Sequence, residues 1–285
     1  MTPSILYARG PEAVSFLQSQ LTIDISKIGS RDWSWAGYCN PKGRLLATLI
    51  LCPCDDGFFI VLDASVAENI EKRLLMYRMR AKVDVYQGSD LHFFCFIPSA
   101  TDAGPEDAHS IFTHPNLPLR VAITSDSIKP SDNEGNRESE RMRASGLALL
   151  RAGVPLLSAS VSEQFIPQSV NLDLAGGVSF QKGCYPGQEI VARVRYRGKP
   201  KQRMVLISTK HPCPVTAGEK TSLTLDGQAV PAEIVATEHD AAADRSLVLA
   251  SVSISAGDRL KNDQCAIDQN PCVIEDLPYP VPFEQ

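Results

Sequence analysis

Apolar runs typical of strands alternate with helix-type apolar stripes along residues 1–88. The predicted strands are SILYARG, WSWAGYCN, GRLLATLILC, GFFIVLD and AKVDVYQ. Between the second and third runs, Asn40-Pro41-Lys42-Gly43 predicts a turn, since proline and glycine favour the bends of a turn. The first 88 residues are therefore expected to contain a sheet.

Two helices are predicted among these strands. The first opens at Gly10-Pro11, where proline fits a first helical turn. Its apolar stripe consists of Ala13, Val14, Phe16, Leu17 and Leu21. The second helix follows a predicted capping box of Ser65 and Glu68 and reaches about Arg80. Residues 1–88 are thus expected to form a ferredoxin-like α+β unit, with both helices on one face of the sheet.

Residues 89–160 show a shorter version of the same alternation. LHFFCFIPS and LPLRVAITS predict strands, and SERMRASGLALLRAG predicts a helix that Gly153 ends and Pro155 prevents from resuming. Residues 101–116 and 125–139 are poor in large apolar side chains and predict exposed loops. This region is expected to be a second, shortened α+β unit.

The pattern changes after about residue 200. RMVLIST, TSLTLDGQAVPAEIVAT, SLVLASVSI and CAIDQNPCVIE are short β-rich runs separated by Gly, Pro and Asp. Such runs are typical of a small antiparallel barrel or sandwich, which we expect over residues 203–285. Residues 161–202 then connect the two halves of the chain.

Composition and charge restrict the class of protein. The 285 residues are 44% hydrophobic with a net charge of −5, so a basic site on this globular chain must be local. We find neither a signal peptide nor an apolar run long enough to span a membrane, and expect a cytoplasmic protein. None of the eight cysteines forms CxxC or pairs with histidine at zinc-ligand spacing, so we predict reduced thiols and no metal site.

The stretch KGCYPGQE, residues 182–189, carries the strongest chemical signal. Its Tyr185-Pro186-Gly187-Gln188 predicts a turn in which glycine supplies the positive φ. Cys184 stands just before this turn and two residues after Lys182, whose ammonium would favour the thiolate. The alternative interpretation is a tight turn with a packed cysteine of no chemical role.

Cations occupy every odd position that follows, from 193 to 203: Arg193, Arg195, Arg197, Lys199, Lys201 and Arg203. In an extended chain they would share one face, as a solvated surface or as an anion site for a carboxylate tail or phosphates. Stacking aromatics would favour nucleic acid, but only Tyr185 and Tyr196 are near, so nucleic acid is the weaker choice. We find no GxGxxG after a strand, Walker loop, GxSxG or HExxH.

KGCYPGQE resembles the KGCYxGQE signature of the YgfZ-type folate-binding proteins, whose mitochondrial relatives assist iron–sulfur cluster maturation. The similarity extends over residues 163–199 and includes GPEAVSFLQSQLTIDI and AGYCNPKGRLLATLIL. It implies two ferredoxin-like units and a C-terminal β-barrel around a central channel, as in the T-protein aminomethyltransferase. It also implies a tetrahydrofolate ligand or a one-carbon derivative, with a polyglutamate tail suited to the cations.

From the resemblance we expect Cys184 and Lys182 to be the reactive pair. The expected folate-binding residues are Lys182, Gly183, Cys184, Tyr185, Gly187, Gln188, Glu189, Arg193 and Arg195. Where the transferases read roughly GGILDDLIV, this chain reads GRLLATLIL, so Ala47 and Thr48 replace an acidic pair. This departure argues against ordinary aminomethyl transfer.

The predicted function is therefore that of a folate-binding accessory protein. It would support iron–sulfur enzyme assembly or repair and, through it, tRNA modification, with assembly proteins or client enzymes as partners. A folate-dependent aminomethyl or methyl transferase, with Cys184 or Glu189 taking part, is one alternative. An RNA-binding interaction module that uses the row of cations is the other.

Overall fold

The computed structural model describes residues 1–98, 110–125, 134–261 and 265–283. The predicted loops at 101–116 and 125–139 lie partly outside these residues, at 101–109 and 126–133. Within the described part, two mixed α/β regions precede a closed antiparallel barrel. The predicted fold class is confirmed by this architecture.

The first region is a five-stranded antiparallel sheet in the order β2-β3-β4-β1-β5. Its strands are β1 Pro3–Arg9, β2 Ser34–Cys39, β3 Leu45–Cys54, β4 Gly57–Asp63 and β5 Asp84–Gln87. All five coincide with predicted runs. The predicted turn between β2 and β3 is confirmed, because the Gly43 N–H donates to the carbonyl of Asn40 at 2.9 Å.

Helices α1 (Ala13–Gln18) and α2 (Ala64–Arg78) cover one face of this sheet, as predicted. Phe16 and Leu17 are buried there, whereas Val14 is 46% exposed and was wrongly placed in the buried stripe. Val14 lies one residue, or about 100°, around the helix from Ala13, at the edge of the packed face.

The predicted Ser65/Glu68 capping box is wrong. Helix α2 begins earlier, and Asp63 is its N-cap, accepting hydrogen bonds from the Ser65 N–H at 3.0 Å and the Ser65 hydroxyl at 2.5 Å. Glu68 pairs instead with Lys72 on the helix surface. A carboxylate at the N-cap satisfies the first-turn N–H groups, so the serine two residues later is not needed for that role.

The second region is a three-stranded antiparallel sheet in the order β6-β8-β7, covered by α3. The elements are β6 Leu91–Phe96, β7 Ser110–Phe112, β8 Arg120–Ser125 and α3 Glu134–Arg151. Gly153, with φ of +63°, follows the helix as predicted. The loop prediction was wrong at 110–112 and at 134–139. Strand β7 has only three residues, too few to show an alternating pattern, and α3 begins with a polar turn.

The C-terminal region is a closed antiparallel barrel in the order β10-β11-β12-β9-β14-β13. Its strands are β9 Gln202–Thr209, β10 Lys220–Leu225, β11 Gln228–Asp240, β12 Arg245–Ser253, β13 Cys265–Ile267 and β14 Asn270–Glu275. The predicted β-rich runs all lie in these strands. The barrel has its own apolar interior, which includes Ile207, Leu223 and Val248.

A second core joins the three regions. Trp35 and Ile50 on the free face of the first sheet share it with Phe93, Leu150 and Met204. The segment 161–202 runs through this junction. Its backbone is hydrogen-bonded to the first sheet at Leu45, and the Asn171 side chain is bonded to both backbone polar groups of Met204 in the barrel. The KGCYPGQE stretch is thereby held where the regions meet.

Candidate functional site

The turn within KGCYPGQE has the predicted geometry. The Gln188 N–H donates to the Tyr185 carbonyl at 3.2 Å, and Gly187 has φ +81° and ψ 0°. A Cβ on Gly187 would lie 2.5 Å from the Asn40 carbonyl oxygen and 2.7 Å from the Cα of Gly43. Glycine is therefore required here twice, by the backbone conformation and by the close approach of the β2–β3 turn.

Cys184 is the exposed cysteine among the eight, all of which are reduced in the structure. Five of the others are buried and two are half-buried. The neighbouring Gly183 borders open space, because a Cβ built on it meets no atom within 4 Å. A ligand can thus approach both the backbone of Gly183 and the sulfur of Cys184.

Lys182 is almost fully buried, unlike most lysines. Its ammonium donates hydrogen bonds to the carbonyl oxygens of Gln18 at 2.5 Å and Leu21 at 2.6 Å, at the end of α1. Burial lowers the Lys182 pKa to about 8, and nearby Asp24 opposes this shift. Lys182 thus ties the segment to the first region; its predicted effect on the ionisation of Cys184 stays a prediction.

Tyr185 provides a second anchor on the other side of Cys184. Its ring is buried, which raises the pKa of its hydroxyl, and the Lys182 ammonium lies 5.3 Å from the ring centroid. Gly183 and Cys184 are exposed between these two buried residues. The fold therefore presents the thiol on a short segment fixed at both ends.

The predicted extended row of cations is wrong, because helix α4 (Gln188–Tyr196) begins immediately after Gly187. Alternate residues of a helix point about 200° apart, so Arg193 and Arg195 lie on different sides. Arg193 pairs with Glu189 one turn earlier at 2.9 Å, and the Arg195 guanidinium lies 5.4 Å from the ring centroid of Phe180.

The side chain of Arg203 is buried and does not share the exposed surface of the other cations. It forms an ion pair with Asp173 at 2.6 Å, and its guanidinium also donates to the Gln168 carbonyl. The pair lines a pocket of about 240 Å³ together with Arg195 and Lys199. The remaining cations are exposed and are called the basic segment: Arg193, Arg195, Arg197, Lys199 and Lys201.

Residues 47 and 48, where the transferase pattern has its acidic pair, are used for packing in this chain. Both side chains are fully buried. The Thr48 hydroxyl donates to the Pro155 carbonyl at 2.6 Å and accepts from the Leu157 N–H at 3.0 Å. Thr48 therefore joins β3 to the chain that follows α3. This contact joins residues more than 100 positions apart, and no local sequence pattern predicts it.

Two further cavities were not predicted. The larger, of about 1000 Å³, lies beside the β2–β3 turn. Its charged lining residues are Lys42, Arg44, Arg73, Lys220, Glu163 and Glu233. The Asn40 amide donates to the Glu163 carboxylate at 2.7 Å and fixes one wall. Lys42 lies in the predicted turn and Arg44 in the predicted strand directly after it, but only the fold brings Arg73 and Lys220 to them.

The smaller cavity, of about 290 Å³, is lined by Asp24, Trp33 and His114, among others. The His114 ring packs 4.6 Å from the Trp33 ring, and burial lowers the His114 pKa to about 4, so this imidazole is neutral at pH 7. Gln18 connects the cavity to KGCYPGQE, since its amide donates to Asp24 and its carbonyl accepts from Lys182.

Within residues 1–98, 110–125, 134–261 and 265–283, no three His, Cys, Asp or Glu side chains are grouped so as to hold a metal ion. No helix there has the length and apolar character needed to cross a membrane.

Comparison with known proteins gave related sequences and a related fold. No protein-family model matches the chain. It is 32% identical over 219 residues to the tRNA-modifying protein YgfZ of Photorhabdus laumondii, covering 70% of this chain and 67% of the relative. It is 30% identical over 243 residues to the tRNA-modifying protein YgfZ of Klebsiella pneumoniae, covering 76% and 72%.

Among solved structures, the glycine cleavage system aminomethyltransferase T from Bartonella henselae matches with a TM-score of 0.61. The match covers 97% of this chain and 83% of the other, at 13% sequence identity. An identity this low establishes a shared fold and nothing about activity. The aminomethyltransferase-like fold predicted from the sequence is confirmed.

Proposed function

The chain belongs to the YgfZ family, whose matched members are named tRNA-modifying proteins, and on this basis we propose that it acts as an accessory protein in tRNA modification. In this role it binds tetrahydrofolate or a one-carbon derivative and assists the assembly or repair of iron–sulfur enzymes. The observation that carries the proposal is the exposed Cys184, fixed between buried Lys182 and Tyr185 within the family signature.

The exposed residues around Cys184 offer polar groups that suit a reduced folate. The ring of a reduced folate carries N–H donors, and the exposed Glu189 carboxylate in the first turn of α4 can accept from them. Gln188 and the open backbone of Gly183 complete this side of the site. The tail carries carboxylates, which suit the cations of the basic segment. Folate supplies the one-carbon group or the reducing ring when bound.

The residues of the chain have separate tasks in this proposal. Cys184 presents a thiol that accepts or exchanges a group, or holds a reactive species during cluster repair. Lys182 is a positioning residue, because its hydrogen bonds go to the end of α1 and fix the approach to Cys184. Gly187 keeps the turn against the β2–β3 turn, and this turn lies between Cys184 and Glu189 along the chain.

A folate-dependent transferase is the second candidate function. The residues at positions 47 and 48 argue against this activity. Neither Ala47 nor Thr48 offers a carboxylate, and the Thr48 hydroxyl is already engaged with Pro155 and Leu157. Formation of a one-carbon product from a folate donor and an amine would favour the transferase over the accessory role.

An RNA-binding module is the third candidate, favoured by the five exposed cations of the basic segment. Binding through phosphates weakens steeply with salt, because each contact releases counterions. Tight RNA binding with a steep salt dependence, without any folate binding, would select this candidate over the proposed function.

The proposed role is tested by rescue of a strain that lacks the protein. The readout is the level of a tRNA modification made by an iron–sulfur enzyme. Cys184→Ser should rescue poorly, whereas Cys54→Ser, a half-buried cysteine on β3, should rescue like the wild type. Full rescue by Cys184→Ser would remove the thiol from the function.

Tail recognition is tested with folates of different length. The double variant Arg195→Ser, Arg197→Ser should bind a polyglutamylated tetrahydrofolate several-fold more weakly while its affinity for the monoglutamate changes little. Lys72→Ser, on the surface of α2, is the matched control for loss of positive charge. Equal weakening for both ligands would mean that the basic segment does not contact the tail.

A further inference from the structure

The last hairpin of the barrel contains a pair of cysteines far from KGCYPGQE in sequence. Strands β13 and β14 are joined by Asp268 and Gln269, both with positive φ, of +46° and +64°. A two-residue turn with both residues in this region fixes the register of a hairpin. The register places Cys265 directly opposite Cys272.

The two sulfur atoms of this pair are already in contact. The Sγ atoms of Cys265 and Cys272 lie 2.8 Å apart, and the Cys265 Sγ is 2.7 Å from the Cys272 carbonyl oxygen. A disulfide bond is about 2.0 Å long, so the sulfurs need to move by less than about 1 Å to be joined. Direct cross-strand neighbours have Cβ atoms about 4.5–5.5 Å apart, within reach of such a bridge after a small adjustment.

The contact makes the two thiols unequal. The hydrogen bond with Cys272 lowers the pKa of Cys265, and the same contact raises the pKa of Cys272. A thiolate is the nucleophile in disulfide exchange, so Cys265 is the attacking sulfur and Cys272 the resolving one. Half-buried Cys213 packs against the same apolar cluster. Among the described residues, these three cysteines are not part of a group of side chains that could hold a metal ion.

We propose that Cys265 and Cys272 are a redox-active dithiol that closes reversibly to an intrachain disulfide by exchange with a small-molecule disulfide. The Cys265 thiolate attacks one sulfur of the oxidant, forming a mixed disulfide and releasing one thiolate, which takes up the proton that Cys265 lost. Cys272 then loses its proton and attacks the Cys265 sulfur, releasing the second small thiol. In sum, the two protein thiols are oxidised and one disulfide is reduced to two thiols.

The bridge would lie where the barrel closes. Strand β13 pairs with β10 and strand β14 with β9, so the hairpin joins the two sides of the barrel. A cross-link between its strands holds the hairpin closed, whereas the reduced form can open more readily. Both sulfurs are largely buried, so exchange requires a local opening and is slower than reaction at exposed Cys184. This dithiol is independent of the folate proposal.

The test uses the full chain carrying Cys184→Ser, so that the exposed thiol does not consume oxidant. The protein is incubated with oxidised glutathione, unfolded in an alkylating agent, digested with trypsin and analysed by mass spectrometry. No Lys or Arg follows Lys261, so both cysteines fall in the single peptide 262–285. We expect this peptide to lose both alkyl labels together and to be lighter than the dithiol peptide by two hydrogen atoms.

The matched variants are Cys265→Ser and Cys272→Ser, with Cys213→Ser as the nearby control. Either of the first two should abolish the joint loss of labels, and Cys213→Ser should leave it unchanged. Dithiothreitol should restore both labels. The incubation is continued until labelling no longer changes; retention of both labels at that point, at an oxidant concentration that converts Cys184 of the wild type fully to its glutathione adduct, would overturn the proposal. A glutathione adduct on this peptide without the internal bridge would overturn it as well.

Discussion

Alanine substitution at three glycines separates the conformational and packing requirements of the KGCYPGQE turn. Gly187 has φ +81° and no room for a Cβ, which would lie 2.5 Å from the Asn40 carbonyl oxygen. Gly176 has a similar φ of +84°, but a Cβ there meets nothing within 4 Å. Gly183 has neither a positive φ nor a nearby atom. Gly183 therefore needs no special property of glycine, Gly176 needs only its positive φ, and Gly187 needs both the positive φ and the absence of a Cβ.

The expected losses of stability follow from these differences. Gly176→Ala places a side chain in the left-handed region, which costs about 1–2 kcal/mol. Gly187→Ala has the same cost and must also push apart two turns of backbone, so we expect about 3–4 kcal/mol in total. Gly183→Ala should change the free energy of unfolding by less than about 1 kcal/mol, and a small gain is expected because alanine restricts the unfolded chain.

Urea denaturation followed by circular dichroism measures all three variants. The order of midpoints should be Gly183→Ala at or above the wild type, then Gly176→Ala, then Gly187→Ala. Rescue of tRNA modification should be weaker for Gly187→Ala than for Gly176→Ala, because Gly187 positions the segment that carries Cys184. A Gly187→Ala protein as stable as Gly176→Ala would show that the contact between the two turns is not close, and the rigid bend would have to be abandoned.

Three further predictions concern the supports of the site. Asp173→Asn leaves buried Arg203 without its carboxylate, and the free energy of unfolding in urea should fall by about 3–5 kcal/mol; a loss below about 1 kcal/mol would mean that the pair is solvated. Asp63→Ala removes the N-cap that accepts from Ser65 and should cost about 1 kcal/mol in the same assay; no loss would place the cap elsewhere. Lys182 has a folded-state pKa of about 8 against 10.5 unfolded, so the unfolded chain holds the proton more tightly between these values. The stability of the wild type relative to Lys182→Met should therefore rise from pH 8 to 10.5, and a flat difference would contradict the burial of this ammonium.

The sequence predicted most of the strands because their apolar residues pack on the two faces of sheets. In β3, for example, Leu49 and Leu51 pack under the helices, whereas Ile50 packs in the core shared by the three regions. The pattern failed where the apolar signal was too short or absent. Strand β7 has three residues and one partner strand, and the first turn of α3 is polar.

The candidate site was predicted in part. The turn and the positive φ of Gly187 follow from local chemistry, because few residues other than glycine adopt that conformation. The conformation of the cations at 193–203 could not be predicted from local chemistry. Their alternation indicated an extended chain, but the turn leads directly into α4, and long-range contacts with Asp173 and Phe180 decide where Arg203 and Arg195 point. Cys265 and Cys272 lie opposite each other because of the hairpin register, which their spacing in the sequence does not determine.

The central claim is that a reduced folate binds against the exposed sulfur of Cys184. The most direct measurement is the alkylation rate of Cys184 by iodoacetamide, followed by mass spectrometry, with and without saturating tetrahydrofolate. We expect bound folate to slow the alkylation of Cys184 at least several-fold and to leave that of half-buried Cys54 unchanged. Equal rates at Cys184 with and without the ligand, when binding is saturated by an independent assay, would contradict the claim.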